Sequence, residues 1–298
     1  MSTATTHTVP PAKRPKMPAG DALYQAPAIA WPTLGLFVLA GLLWGGALAL
    51  VLAELIPAWF AILVQAAAAF MFFTVLHDGV HRSLMRGYPR ANEAIANIAG
   101  AILSPLATAY TFRYVHFKHH RHTNEPEVDP DMWSGIGRWW TLPLQWATAD
   151  LRYAQIVLQD WADIDRGKRA KILIGIAATF GLYALSWPLG WGWEATLFWI
   201  VPGRLAIAWL AFAFNFLPHH PHTVEQSHNP YAATNIRKGG GPLMTGLFLY
   251  QNHHLIHHLY PSIPFYRYVR IWRERQAEFR EQGAPVVGTF SLMRAHPD

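Results

Sequence analysis

The sequence predicts an all-α integral membrane protein: four transmembrane helices in two hairpins, with a cytoplasmic helical cap carrying histidine boxes. Three observations predict it. The 298 residues are 52% hydrophobic and only 14% charged, against about 25% charged in soluble domains, and mean hydropathy is +0.12. Four apolar runs approach the ~20 residues with which a helix crosses a ~30 Å hydrocarbon core. Sixteen histidines stand against no cysteine, and all but His7, His228 and His296 fall into four short clusters.

Residues 1–28 are rich in Thr, Pro and Ala, carry Lys13, Arg14 and Lys16, and contain no apolar run. They are expected to form a disordered tail, not a signal peptide, which needs an apolar core and a small-residue cleavage site. Residues 29–298 are expected to form one membrane domain. Its first pair of spans runs over about 34–55 and 57–76, linked around Glu54, Ile56 and Pro57. The second pair runs over about 172–189 and 195–217, joined through Gly190, Trp191, Gly192 and Trp193; the two indoles suit the headgroup level. Between the pairs, Ala94 to Phe112 is broken at Ser104-Pro105, and Trp133 to Leu158 mixes aromatics with charges. Interrupted, amphipathic runs of this kind lie along a bilayer or re-enter it. Arg204, just after Pro202 and Gly203, either pairs at membrane depth or marks a later start of the fourth span.

The formal charge of +6 is spread through loops beside apolar segments and forms no basic stripe, so nucleic acid is not an expected partner. Lys and Arg concentrate in the tail, the middle segment and the C-terminal region, while the two outer links carry none. The positive-inside bias therefore places both termini, the middle segment and all four histidine clusters in the cytoplasm. The absence of cysteine excludes iron–sulfur clusters, thiolate-ligated haem and disulfides. Any electrons must come from a separate donor, such as a ferredoxin or a reductase.

His77 and His81 are spaced HxxxH at the inner end of the second span; His116, His119 and His120 form HxxHH; His254, His257 and His258 repeat HxxHH. Positions i, i+3 and i+4 share one helix face, so each box presents its imidazoles together. Asn215 and His219 are four apart at the end of the last span, although Pro218 leaves His220 and His222 as alternatives. These nine imidazoles exceed the four ligands of a zinc site. Carboxylate di-iron bundles use Glu and Glu-x-x-His, a pattern missing here. Histidine-rich coordination of two irons, with dioxygen as co-substrate, fits the set. Asp78, Asp129 and Asp131 are candidates to accept the outer ring N–H of a ligand, and His122 and His253 are further candidates for such supporting positions.

At these boxes, from His77 to about Tyr268, the chain resembles the membrane fatty-acid desaturase superfamily of histidine-box di-iron enzymes. HFKHHRHTNEPEVDPD and QNHHLIHHLYPSIPFYRY look most like beta-carotene hydroxylase-like members. The resemblance implies a four-span protein with a cytoplasmic di-iron site, in which Asn215 and His219 match the Asn and extra His that some members take from the last span. It implies an O2-dependent oxidoreductase of lipid metabolism that hydroxylates or desaturates a long apolar membrane lipid or isoprenoid, most of all a carotenoid ring hydroxylase. A fatty acyl desaturase is the alternative within the superfamily. A histidine-rich metal transporter is the alternative of another class, and would be expected to line a path across the membrane with ionisable ligands.

Overall fold

The computed structural model describes residues 20–292 together with Pro15, Met17 and Pro18. Four helices are long and apolar enough to span a membrane: α1 (Trp31–Leu52), α2 (Ala58–Val80), α7 (Arg166–Ser186) and α8 (Gly192–Phe216). α1, α2 and α8 begin within three residues of the expected positions, and α7 begins six residues earlier than expected. Only 11% of the apolar 18-residue stretch of α1 and of α7 is buried, against 61% in α2 and 50% in α8, so α2 and α8 form the inner layer and the other two turn leucines such as Leu42 and Leu182 outward. That outward apolar surface suits hydrocarbon as the surrounding solvent.

α8 is not a uniform helix. It widens into π-helical turns at Thr196–Ile200 and Ala211–Phe216, a distortion that concentrates at functional sites, and the second of these carries Asn215. Arg204 lies inside this helix, so the reading in which the span merely starts later does not hold. Its guanidinium pairs with the Asp150 carboxylate, Nη1 to Oδ1 at 2.6 Å with a second contact between Nη2 and Oδ2, and Ser104 Oγ donates to the same carboxylate at 2.6 Å.

The middle segment folds as α3 (Pro89–Leu103), α4 (Ala109–His122), α5 (Leu142–Ala147) and α6 (Ala149–Gln159). The break falls at Ser104-Pro105 as the sequence indicates, because proline cannot continue the helical hydrogen-bond ladder. Thr108 then caps α4 by accepting the Thr111 N–H. α3 packs closely on α2, and its Gly100 approaches the connection to α4 so tightly that a Cβ there would sit 1.9 Å from the Ala107 carbonyl oxygen. Backbone cannot step aside as a side chain can. Gly100→Ala is expected to cost about 1–3 kcal/mol, measurable as a fall of several degrees in the unfolding midpoint in detergent; an unchanged midpoint would contradict this packing.

Beyond α8 come β1 (Ile236–Lys238), α9 (Gly241–Leu247), α10 (His254–Leu259), α11 (Tyr268–Glu281) and β2 (Val286–Gly288). β1 and β2 pair in parallel with Arg237 opposite Val287. Tyr260, Tyr268, Ile271 and Trp272 form a second core around α11. Residues from Asp21 on, which fall inside the expected tail, join this core: Tyr24 meets Tyr260 edge to face at 5.0 Å, and Arg267 Nη1 donates to the Ala22 carbonyl at 2.7 Å. The rest of that tail, residues 1–14, 16 and 19, lies outside the described residues, as do residues 293–298.

Candidate metal centre

The histidine-bearing ends of α2, α4 and α10 converge on one buried place, with the turn after α8. Two groups of four imidazoles form there: His77, His81, His116 and His257, and His119, His219, His254 and His258, the ligand atoms of each lying within 4.8 Å of one another. The boxes are thus dealt out between the groups. α4 gives His116 to one and His119 to the other, and α10 gives His257 to the first and both His254 and His258 to the second. His120 stands between them, its Nε2 2.8 Å from His257 Nε2 and 3.1 Å from His116 Nε2, with its ring 4.4 Å from that of His258.

The outer ring nitrogens are held by acceptors. His119 Nδ1 faces Asp129 Oδ1 at 2.7 Å, His254 Nδ1 faces Gln251 Oε1 at 2.9 Å, His258 Nδ1 faces Gln226 Oε1 at 3.1 Å, and His257 Nδ1 faces the Tyr268 hydroxyl at 3.1 Å. An acceptor on Nδ1 requires the proton there, which leaves the Nε2 lone pair pointing inward. Inside, the Nε2 atoms converge: His77 and His257 at 3.0 Å, His254 and His258 at 3.1 Å, His119 and His258 at 3.3 Å. The lone pairs of His254 and His258, whose Nδ1 protons are held by Gln251 and Gln226, face each other and repel unless a cation lies between them. Neither nitrogen of His219 has a hydrogen-bond partner among the described residues, although the side chain is buried. This donor set fits two imidazole-preferring transition metals such as iron.

Electrostatics agree with the geometry. Burial, reinforced by neighbouring imidazoles, holds His116, His120, His219, His254, His257 and His258 well below the ordinary histidine pKa, so they stand neutral with lone pairs available. His119 is the exception: burial opposes its charge, yet the carboxylates of Asp129 and Asp131 outweigh burial and raise it to about 9. Metal-free protein at pH 7.5 therefore carries a proton on His119 that metal must displace. Metal titration in weak buffer with a pH indicator is expected to release about one proton from His119 per chain at pH 7.5, and none above about pH 10. Equal release at both pH values would contradict the assignment.

Of the supporting residues anticipated from sequence, Asp129 and Asp131 are in place, at 2.7 and 3.5 Å from His119 Nδ1. Three are corrected. Asp78 Oδ2 instead accepts the Thr33 hydroxyl at 2.8 Å and ties α1 to α2. His122 turns outward to Glu125 at 2.8 Å. His253 is buried but bonds to no ligand ring, and its Nδ1 has no partner among the described residues. Among the alternatives after Pro218, His219 joins the second group, whereas His220 reaches the Leu292 carbonyl at 3.1 Å and His222 packs under Gly135. The Asn215 amide donates to the Tyr153 hydroxyl at 2.8 Å, which in turn donates to Asp131 at 2.5 Å, linking Asn215 to the carboxylates behind His119.

Sequence reasoning missed Gln226, Gln251, Tyr268 and Tyr153. Gln251 carried a signal, standing one helical turn before His254. Gln226 carried none: it reaches His258 from a loop, while its amide nitrogen donates to the His120 carbonyl at 2.7 Å. Gln226→Leu is expected to weaken metal binding about 10–100-fold by freeing the His258 ring, read from competition with a chelator; unaltered affinity would remove Gln226 from the account.

Two apolar cavities lie near the centre. One of about 50 Å³ is lined by Phe73, Phe112, Tyr153 and Asn215, and Phe112 stacks on His116 at 4.8 Å. The other, about 420 Å³, lies between α2 and α8 and is lined by Phe70, Met71 and Trp209. Phe214 separates it from the centre, touching Phe70 at 6.0 Å and His254 at 6.1 Å.

Comparison with known proteins gives this arrangement its context. The family model described as fatty acid desaturase matches residues 53–290. A beta-carotene ketolase of a Paracoccus species is 30% identical over 200 residues, covering 65% of this chain and 71% of the relative. The dihydrorhizobitoxine desaturase of Bradyrhizobium elkanii is 27% identical over 217 residues, covering 65% and 60%, and the sn-1 oleoyl-lipid 12-desaturase of Arthrospira platensis 24% identical over 224 residues, covering 65% and 61%. The match takes in every helix that carries a histidine box, and the chain belongs to the fatty acid desaturase family.

Proposed function

We propose that this protein is a membrane di-iron oxygenase that hydroxylates the ring of a carotenoid-type substrate with dioxygen and external electrons. The observation that carries the reading is the pair of four-imidazole groups, each with its ligand atoms within 4.8 Å of one another. Similarity to beta-carotene ketolases supports the substrate class, since ring ketolation and ring hydroxylation both begin with oxidation of a ring C–H bond. The spans would form two hairpins, and the charge distribution supports cytoplasmic termini and a cytoplasmic cap holding the site.

Two irons held by His77, His81, His116, His257 and by His119, His219, His254, His258, with His120 between them, would supply the oxidising power that no side chain has. The chain's own part is positioning. Asp129, Gln226, Gln251 and Tyr268 keep the outer ring protons in place, and Asn215 contributes through Tyr153 or as a weaker ligand. Phe73, Phe112 and Phe214 wall the centre with apolar surface that excludes water and suits a hydrocarbon.

The acyl desaturase reading is favoured by the similarity to an oleoyl-lipid desaturase. The transporter reading is disfavoured because the ligands gather in one place and do not line the spans. Expression in a host that makes beta-carotene, with pigments and fatty acids both profiled, tests the substrate. Hydroxylated carotenoid is the expected product; unchanged carotenoids beside new acyl double bonds would replace this reading with the desaturase one.

A further inference from the structure

Oxidation at this centre follows R–H + O2 + 2 electrons + 2 protons → R–OH + H2O. The substrate gives two electrons, dioxygen takes four, and the remaining two must enter from outside. We propose that Lys238, Arg273 and Arg280 form the docking surface for an acidic one-electron carrier protein, which delivers electrons toward the second group of imidazoles; two reduced carriers serve each turnover. The inference rests on the oxidoreductase reading above.

The three side chains are exposed, and Arg273 and Arg280 share α11 with Trp272. Lys238 Nζ lies 5.0 Å from the Trp272 ring, Arg280 acts on Lys238, and Lys238 and Arg273 both act on His253. Of the three carboxylates on α11, Glu274 is engaged by Arg270 and Glu278 by Arg275; the third, Glu281, sets one negative charge against the three cations. Directly beneath lie Trp272 and His253, 2% and 6% exposed. Trp272 Nε1 and His253 Nδ1 both lack a hydrogen-bond partner among the described residues, a cost that structural roles normally avoid. His253 immediately precedes His254 of the second group. Arg280 also borders a cavity of about 370 Å³ whose wall includes His219 of the same group.

The residues of this cationic surface are therefore linked to the second group by His253, the neighbour of His254, and by the cavity that Arg280 shares with His219. Such a surface steers an acidic partner and orients it, with an effect that salt suppresses. Anionic lipid headgroups also attract cations, but they give no reason for the unpartnered nitrogens of the buried Trp272 and His253.

The test uses the full chain in nanodiscs with a plant-type ferredoxin as the acidic carrier. Wild-type protein is expected to bind the oxidised carrier with an affinity that falls at least tenfold between 50 mM and 500 mM salt, on the order expected of screened charge pairs. Lys238→Glu/Arg273→Glu should weaken binding and slow reduction of the centre by reduced ferredoxin about tenfold or more, while iron content and reduction by dithionite with methyl viologen stay unchanged. Arg280→Glu alone gives the same direction should the double variant fold poorly. Equal binding by wild type and folded variants overturns the proposal, and loss of co-purifying anionic lipid in them would assign the patch to the bilayer surface. A protein that holds no iron fails the proposed function instead, a result distinct from iron-loaded protein whose carrier binding ignores these charges.

Discussion

Replacing His119 with alanine is expected to abolish product, by about 100-fold or more, and to lower metal content by about one ion per chain. Its Nε2 faces His258 at 3.3 Å and its Nδ1 is held by Asp129 at 2.7 Å, so the substitution removes a donor and also the group that the two carboxylates orient. Those carboxylates keep other partners, since Asp129 still accepts the backbone N–H of Asn124 and of Asp131; the fold should therefore survive. Asp129→Asn offers a graded comparison, because it keeps the ring but weakens its orientation, a change typically worth about 10–100-fold in metal affinity. Metal analysis alongside pigment or lipid chromatography checks both variants. Wild-type product levels from His119→Ala would exclude the residue as a ligand.

The second large effect concerns stability. Arg204→Leu would leave the Asp150 carboxylate, buried at 7% exposure, without its cation, and breaking a buried pair from one side costs about 3–5 kcal/mol. The same pair joins α8 to α6 and, through Ser104, to the break between α3 and α4. Arg204→Leu is expected to lose most folded protein in detergent extracts. Arg204→Leu combined with Asp150→Leu should recover much of it, since removing both charges removes the uncompensated one. A single variant as stable as wild type would show that Asp150 is solvated from another side.

Much of this architecture was legible in the residues because two strong periodicities carried it. Apolar runs near twenty residues marked the four spans, and the spacing of His116, His119 and His120 and of His254, His257 and His258 gave facing imidazoles on helical turns. What spacing does not carry is partition. Adjacent residues on one helix, His257 and His258, serve different groups because a 100° step between neighbours sends their rings to opposite sides of the helix edge. Nor does local sequence disclose contacts made at long range: Gln226 meets His258 from a loop 32 residues earlier, and Arg204 finds Asp150 across 54. Asp78 misled because proximity to a box suggested a ring partner, whereas the helix turns its carboxylate toward Thr33 of α1. The end of the expected tail joins the fold because Leu23 and Tyr24, too short an apolar run to signal an element, find their partners in Tyr260 and its neighbours far along the chain.

The central claim is that two metal-binding groups share one buried site, and metal analysis of the purified wild-type protein after iron-replete expression tests it most directly. The account predicts about two irons per chain. Zinc without iron, or a single ion per chain at saturation, would contradict it.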